Sequence, residues 1–219
     1  MSRSPDAIAA ELAEALADGI AARTRSVIAL AGPPGVGKST IAGALQARLQ
    51  DRGHATALVP MDGYHLDNAI LRARGLLEWK GAPETFDAAG FASLVGRLKA
   101  EDEVFYPVFD RARDLAVAGA GRVGADDKVI LVEGNYLLLD EPGWRALADH
   151  WDVSIMLNAP FATLEDRLVQ RWRDHGLDAA AARTRAEMND LPNARRILGA
   201  RLPADIEIGA TDTVQAGLR

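Results

Sequence analysis

Between positions 5 and 22, Ile8, Leu12, Leu16 and Ile20 recur every fourth residue and therefore share one face, which predicts an amphipathic helix over 5–22. Ser4 is a suitable N-cap, and Pro5 suits the first helical position. The pattern then changes. Ser26–Ala31 (SVIALA) is a short unbroken apolar run, as expected of a strand buried on both faces of a parallel sheet. A glycine-rich turn follows, then a predicted helix over 38–52 ended by Gly53, and a second strand over 55–60. Further on, the pattern predicts a short helix over 66–74, a loop over 75–83, an Asp87-capped helix to Ala100 and a strand over 104–109. Gly119-Ala120-Gly121 reads as the turn of a small hairpin within 114–123. A second buried strand (KVILVE) covers 128–133, with a short helix near 144–149 and a strand over Val153–Leu157. Helices over 161–173 and 179–187 and a last strand over 205–208 complete the reading. Strands alternating with helices mean βαβ units and a mainly parallel sheet of about five strands. No internal repeat or linker interrupts them, so residues 1–219 are expected to form one domain.

Composition narrows the chemistry. Hydrophobic residues at 48% and charged residues at 26% are globular proportions. The chain has no cysteine, which excludes disulfides, thiolate-bound metal and a thiol nucleophile. Its four histidines lack HExxH spacing, which weighs against a zinc hydrolase. A net charge of −6 weighs against nonspecific binding of nucleic acid. No apolar run approaches the roughly 20 residues that span a bilayer, and Asp6, Glu11, Glu14 and Asp18 interrupt any signal-peptide core. The expected location is the cytoplasm, with no membrane partner. Oligomeric state leaves no signature, and a homodimer is compatible with the chain. Only four of the 25 basic residues are lysines (Lys38, Lys80, Lys99, Lys128), so each lysine stands out.

One of them sits in Gly32-Pro33-Pro34-Gly35-Val36-Gly37-Lys38-Ser39, a full match to GxxxxGK[ST] between a strand and a helix. The glycines let backbone N–H groups converge on phosphate oxygens, and the following helix adds its positive end. Lys38 is placed to reach the β- and γ-phosphates, Ser39 to ligate Mg²⁺ and Thr40 to hydrogen-bond a phosphate. The fold class is therefore a three-layer α/β/α P-loop NTPase, with ATP and Mg²⁺ as the expected cofactors.

Phosphoryl transfer also needs an acid for the metal and a base for the acceptor. Glu133 ends a buried strand and so emerges at the sheet's carboxyl edge, where it is a candidate metal ligand. Asp62, in Met61-Asp62-Gly63-Tyr64-His65, emerges at the same edge as a candidate base or metal ligand, although Asp before Gly also suits a plain turn. Tyr64 and His65 are candidate substrate contacts. Asp87 is at least an N-cap. Arg167 and Arg171 share a helix face with Arg173 further round, placed either to offset γ-phosphate charge or to pair with Glu165, Asp166 and Asp174.

Taken together, Gly32–Thr40, Met61–His65, Gly81-Ala82-Pro83-Glu84-Thr85-Phe86-Asp87, Tyr106-Pro107-Val108-Phe109-Asp110 and Val132-Glu133-Gly134-Asn135-Tyr136 resemble the phosphoribulokinase/uridine kinase family. Bacterial pantothenate kinase is similar, as are small bacterial kinases named for fructose transport or as fructokinase-like. The resemblance covers about residues 25–208. It implies ATP-dependent transfer to a hydroxyl of a small metabolite, a sugar such as fructose, with Asp62 as the base. It also implies that Asp87 grips vicinal hydroxyls, that Tyr106, Asp110 and Arg113 line the acceptor pocket, and that Arg167, Arg171 and Arg173 belong to a helical lid over 160–188. The segment from Asp190 to Asn193 resembles one placed near the nucleotide base. Phe109-Asp110-Arg111 departs from the uridine kinase pattern, which weighs against a nucleoside acceptor. A nucleoside monophosphate kinase would need more acceptor-side arginines, and a GTPase switch would need an NKxD segment, which is absent.

Overall fold

The computed structural model describes residues 3–209 and 215–216. Five parallel strands form its centre: β1 (Ser26–Ala31), β2 (Thr56–Pro60), β5 (Val129–Gly134), β6 (Val153–Leu157) and β7 (Ile206–Ile208). Their order is β2-β5-β1-β6-β7, and a two-residue antiparallel β8 (Gln215–Ala216) lies beside β7. The sheet is thus mainly parallel and three-layered, as expected. β1 and β5 are buried along their whole length because helices cover both faces.

Helix α1 (Pro5–Ala21) and helix α2 (Lys38–Asp51) cover one face. Ile8, Leu12, Leu16 and Ile20 all point into that core, and Ser4 caps α1 by accepting from the Ala7 N–H at 3.2 Å. Helix α3 (Asn68–Ala73) is a short surface turn of helix, and α4 (Ala88–Ala100) helps cover the opposite face. There Phe91, Leu94, Val95 and Leu98 of α4 pack with Tyr136 and Trp144, both nearly solvent-free.

The strand register places the site. Leu30 of β1 is level with Glu133 of β5, Ala31 with Gly134, and Pro60 of β2 also with Glu133. Three neighbouring strands therefore end together, and what leaves them (Gly32, Asp62 and Asn135) starts from one edge of the sheet.

Two regions differ from the sequence pattern. The expected turn at Gly119–Gly121 does not exist. Residues Leu115–Val123 form one strand, β4, antiparallel to β3 (Val104–Asp110), and the chain reverses at Arg111–Asp114. Gly121 pairs with Tyr106, and a Cβ there would lie 2.2 Å from the Tyr106 ring, so this glycine makes room for an aromatic ring. The second difference follows α5 (Phe161–Asp174). The helix expected over 179–187 is α6 (Ala179–Arg185), which widens into a π-turn at Ala186–Asp190 and continues as an unforeseen helix α7 (Leu191–Gly199). Pro192 in the first turn of α7 has no N–H to give, which a helix tolerates at that place. Among the described residues no helix is long and apolar enough to cross a membrane.

Candidate active site

A cleft of about 810 Å³ opens at the edge where β1, β2 and β5 end. Its floor is the P-loop. Gly37, the N-cap of α2, has φ +98° and no side chain to cap the helix, so the first α2 amides remain available to an anion. Lys38 is only 8% exposed. Its ammonium donates to the Pro33 carbonyl at 3.1 Å and to Asn135 Oδ1. Burial pulls its pKa down to about 8, against the opposing pull of the Glu133 and Asp62 carboxylates.

Glu133 is likewise buried. Its Oε1 accepts from the Ser39 hydroxyl at 3.2 Å, while Oε2 has no hydrogen-bond partner among the described residues. Burial raises its pKa, and Lys38 opposes the rise. A buried carboxylate oxygen left open beside a hydroxyl has the donor chemistry that Mg²⁺ takes, so these residues fit that ion. No cluster of three or more His, Asp or Glu capable of holding a metal occurs among the described residues. An ion here would complete its shell with phosphate oxygens and water, the usual arrangement for Mg²⁺ at phosphates.

Asp62 lies in a single 3-10 turn, Met61–Tyr64, directly after β2. The glycine that follows it answers a packing demand. A Cβ on Gly63 would lie 1.9 Å from the Pro107 carbonyl oxygen, because β3 crosses against this turn. Asp62 Oδ2 accepts from the Arg111 guanidinium at 3.0 Å. Beyond it, the His65 ring sits 4.0 Å from the Phe86 ring and 4.8 Å from that of Phe109. His65 Nδ1 lies 2.8 Å from the Asp62 carbonyl, which can only accept, so Nδ1 carries the proton and Nε2 is the acceptor. Burial lowers the His65 pKa and keeps the ring neutral at pH 7. Lys80 closes this side, donating to Asn68 Oδ1 and Asp114 Oδ1, each at 2.8 Å, with its ammonium 4.9 Å from the centre of the Phe109 ring.

From the other side comes α5. Arg167 reaches the P-loop and donates to the Val36 carbonyl at 3.3 Å. Arg171 pairs with Asp190 at 2.8 Å, and the Trp172 indole N–H donates to the same carboxylate at 2.6 Å.

The cleft thus gathers Pro34, Gly35, Gly37, Lys38, Ser39, Thr40, Asp62, His65, Glu133, Arg167, Arg171 and Asn193 from the residues singled out in the sequence. Asn193 does so as part of a chain in which its amide donates to Asn189 and that of Asn189 to the Lys80 carbonyl. The others lie elsewhere. Tyr64 packs edge-on against Phe91. Asp87 accepts from the Gly90 N–H at 2.9 Å as the cap of α4. The Tyr106 hydroxyl donates to the Leu58 carbonyl. Asp110 and Arg113 pair with each other at 2.7 Å on the hairpin, and Arg173 reaches back to Gln170 on its own helix. None of these six side chains lines the cleft, nor do Gly32, Pro33 and Val36, although the Val36 and Pro33 carbonyls accept from Arg167 and Lys38, which do. Asn135, Lys80, Arg111 and Trp172 line it without having been singled out. For Lys80 a signal existed, since it is one of only four lysines.

A P-loop leaving the central strand, with Glu133 at the end of the neighbouring strand and Asp62 just past the end of the next, defines the nucleotide site of a P-loop NTPase. Comparison with known proteins identifies the family. The chain is 36% identical over 190 residues to the Escherichia coli protein YggC, covering 86% of this chain and 79% of that one. It is 34% identical over 182 residues to a Schizosaccharomyces pombe protein designated "putative uridine kinase", covering 77% and 76% respectively. A crystal structure from Silicibacter sp. TM1040, designated "putative fructose transport system kinase", superposes with a TM-score of 0.88 at 54% identity, over 92% of this chain and 98% of that one. The chain belongs to the uridine kinase/phosphoribulokinase-like P-loop kinases. The model of the methylmalonyl Co-A mutase-associated GTPase MeaB family also matches, over residues 2–65, the stretch that holds α1, the P-loop and β2.

Proposed function

We propose that the protein transfers the γ-phosphate of ATP to a hydroxyl of a small, phosphate-free metabolite, with a sugar such as fructose as the acceptor. The observation that carries the proposal is the arrangement of Lys38, Glu133 and Asp62 at one edge, with a recess of rings and polar side chains beyond Asp62. Support for a sugar is the likeness to the chain designated a fructose transport system kinase. His65, Phe86 and Phe109 offer aromatic edges and faces to the C–H groups of such a ring, while Asp62, Asn68 and Asp114 offer acceptors to its hydroxyls.

In this reading the first α2 amides and Lys38 hold the β- and γ-phosphates. Ser39 and Glu133 would hold Mg²⁺, which would supply charge neutralisation to the phosphates. Asp62, oriented by Arg111, accepts the proton of the attacking hydroxyl at its carboxylate. His65 Nε2 accepts a hydrogen bond from a second hydroxyl and turns the acceptor. Arg167 and Arg171, on the candidate lid over 160–188, offset negative charge as the phosphoryl group moves. Residues 1–219 act as one unit, and a cytoplasmic location suits its use of ATP.

The MeaB match gives a second reading some footing, a nucleotide-dependent switch that hydrolyses its nucleotide without an acceptor. One experiment separates the two. Purified protein with ATP and Mg²⁺ is presented with free sugars, nucleosides, pantothenate, sugar phosphates and water alone, and phosphorylated products are followed by mass. A free sugar should be phosphorylated far faster than water. Turnover with water alone would favour the switch, and reaction only with already phosphorylated acceptors would overturn the proposed acceptor class.

A further inference from the structure

Lys80 lines the acceptor side of the cleft, and its side chain is largely buried there. An ammonium has three protons to give. Lys80 donates to Asn68 Oδ1 in α3 at 2.8 Å, to Asp114 Oδ1 at 2.8 Å and to the Asp114 main-chain carbonyl at 3.0 Å. All three protons are committed, so none is left for a substrate. Asn68 in turn donates to Asp114 Oδ2 at 2.8 Å, and each oxygen of Asp114 therefore has a partner.

Asp114 closes the Arg111–Asp114 turn between β3 and β4. With φ +53° it is the one non-glycine residue with a left-handed backbone among the described residues. That conformation carries a local cost for a residue with a Cβ, and it persists where surrounding contacts hold it. Lys80 and Asn68 supply those contacts. The Lys80 ammonium also lies 4.9 Å from the centre of the Phe109 ring near the end of β3, so it grips the hairpin on both sides of the turn. Arg111 rides on that turn. Its bond to Asp62 Oδ2 is an exposed ion pair, too weak to fix the guanidinium alone, so the backbone that carries Arg111 decides where it sits.

Lys80 is itself anchored from behind. Its main-chain carbonyl accepts from Asn189 Nδ2 at 2.8 Å. Asn189 belongs to the π-turn Ala186–Asp190, and its neighbour Asp190 holds Arg171 and Trp172. A π-turn inside a helix often marks a functional position. Here two consecutive side chains, Asn189 and Asp190, both line the cleft. We propose that Lys80 is a positioning residue: anchored by Asn189, it pins the turn of the hairpin and thereby sets where Arg111 meets Asp62. The pin stands on these contacts, and its effect on catalysis rests on the reading of Asp62 as the base.

Lys80→Met nearly keeps the length of the side chain and removes its donors. Amide hydrogen exchange over 111–115, read by mass spectrometry, should quicken about tenfold, roughly the worth of one such bond. Exchange in α2 and β5 should stay as in wild type. With ATP, Mg²⁺ and fructose, kcat should fall by about threefold to tenfold, no further than loss of the exposed Arg111 pair allows, and ATP affinity should not move. In an Arg111→Ala background Lys80→Met should cause no further loss of kcat, because Lys80 acts through Arg111. Exchange over 111–115 as slow as in wild type would overturn the proposal. So would faster exchange spread over the whole chain, or a kcat loss that adds to that of Arg111→Ala, since either marks a general loss of stability. Asn189→Ala leaves the ammonium in place and should quicken the same amides to a smaller degree. Should Lys80→Met not fold, an unchanged turn in Asn189→Ala would overturn the proposal. A turn that quickens as expected in a protein that phosphorylates no hydroxyl would instead overturn the kinase reading and leave the pin standing.

Discussion

On the P-loop side of the cleft the two charged groups are buried and tied, Lys38 to the Pro33 carbonyl and Asn135, and Glu133 to the exposed Ser39 hydroxyl. On the hairpin side the arginines are long and exposed, while Lys80 is largely buried. Arg111, whose side chain is 74% exposed, reaches Asp62 across the cleft, and Asp110 pairs with Arg113 at the turn. Exposed pairs of this kind add little net stability, so they can exchange partners at little cost. Buried groups in low dielectric cannot, because each lost partner leaves an uncompensated charge or dipole. On the proposed function, the phosphate side is set before any ligand arrives, whereas the acceptor side can re-pair around its substrate. That division suits a family whose members share a phosphate donor site and differ in acceptor.

Lys38→Ala strikes the fixed side and should have the largest effect, lowering turnover by about 10²–10³ or more. It should not destabilise the free protein at pH 7. The folded-state pKa of about 8 lies below the ordinary lysine value of 10.5, so carrying the proton costs the folded state at neutral pH, and that cost fades as pH rises from about 8 through 10.5. A thermal midpoint equal to or above wild type, measured beside turnover, is the expected pair of results.

Gly63→Ala tests whether the two sides are coupled through the Asp62 turn. Its methyl group would meet the Pro107 carbonyl and push β3 off the turn. A loss of about 1–3 kcal/mol in denaturant unfolding is expected for such overpacking, together with a fall in turnover as Asp62 shifts. Unchanged stability would mean that the hairpin is not packed against the site as described.

Arg111→Ala addresses the re-pairing side alone. Because its ion pair is exposed, turnover should change by less than about tenfold, with the acceptor KM moving more than the nucleotide affinity. A drop as large as that of Lys38→Ala would place Arg111 with the fixed group.

The smallest effect concerns protons. Phosphates beside Lys38 favour its charged form, so nucleotide binding at pH 8 should take up about half a proton. Calorimetry in buffers of different ionisation enthalpy reads this directly, and the uptake should vanish in Lys38→Ala.

The fixed side was also the readable one. GxxxxGKS, the buried runs of β1 and β5, and Glu133 at a strand end are local patterns, whereas the order of the strands and their level ends come from the structure. The hairpin side depends on side chains meeting across long separations, as Gly63 does with Pro107 and Asn68 with Asp114, and no local period reports such contacts. Hence Gly119-Ala120-Gly121 read as a turn when one glycine was making room for Tyr106, and Arg111 and Lys80 were not placed in the site beside Asp62 and Phe109. Asp87 shows a different limit: a residue type suited to both capping and binding is found capping α4, and the pattern alone does not separate the two uses.

The central claim is that Asp62 takes a proton from an acceptor hydroxyl at the edge shared with the P-loop. Asp62→Asn keeps the size and the hydrogen bonding but cannot take that proton, so kcat should fall by about 10²–10⁴. ATP affinity should stay near wild type, and added Mg²⁺ should not restore the rate. A kcat within about threefold of wild type, well short of that range, would contradict the claim and leave Glu133 as the acid to test next.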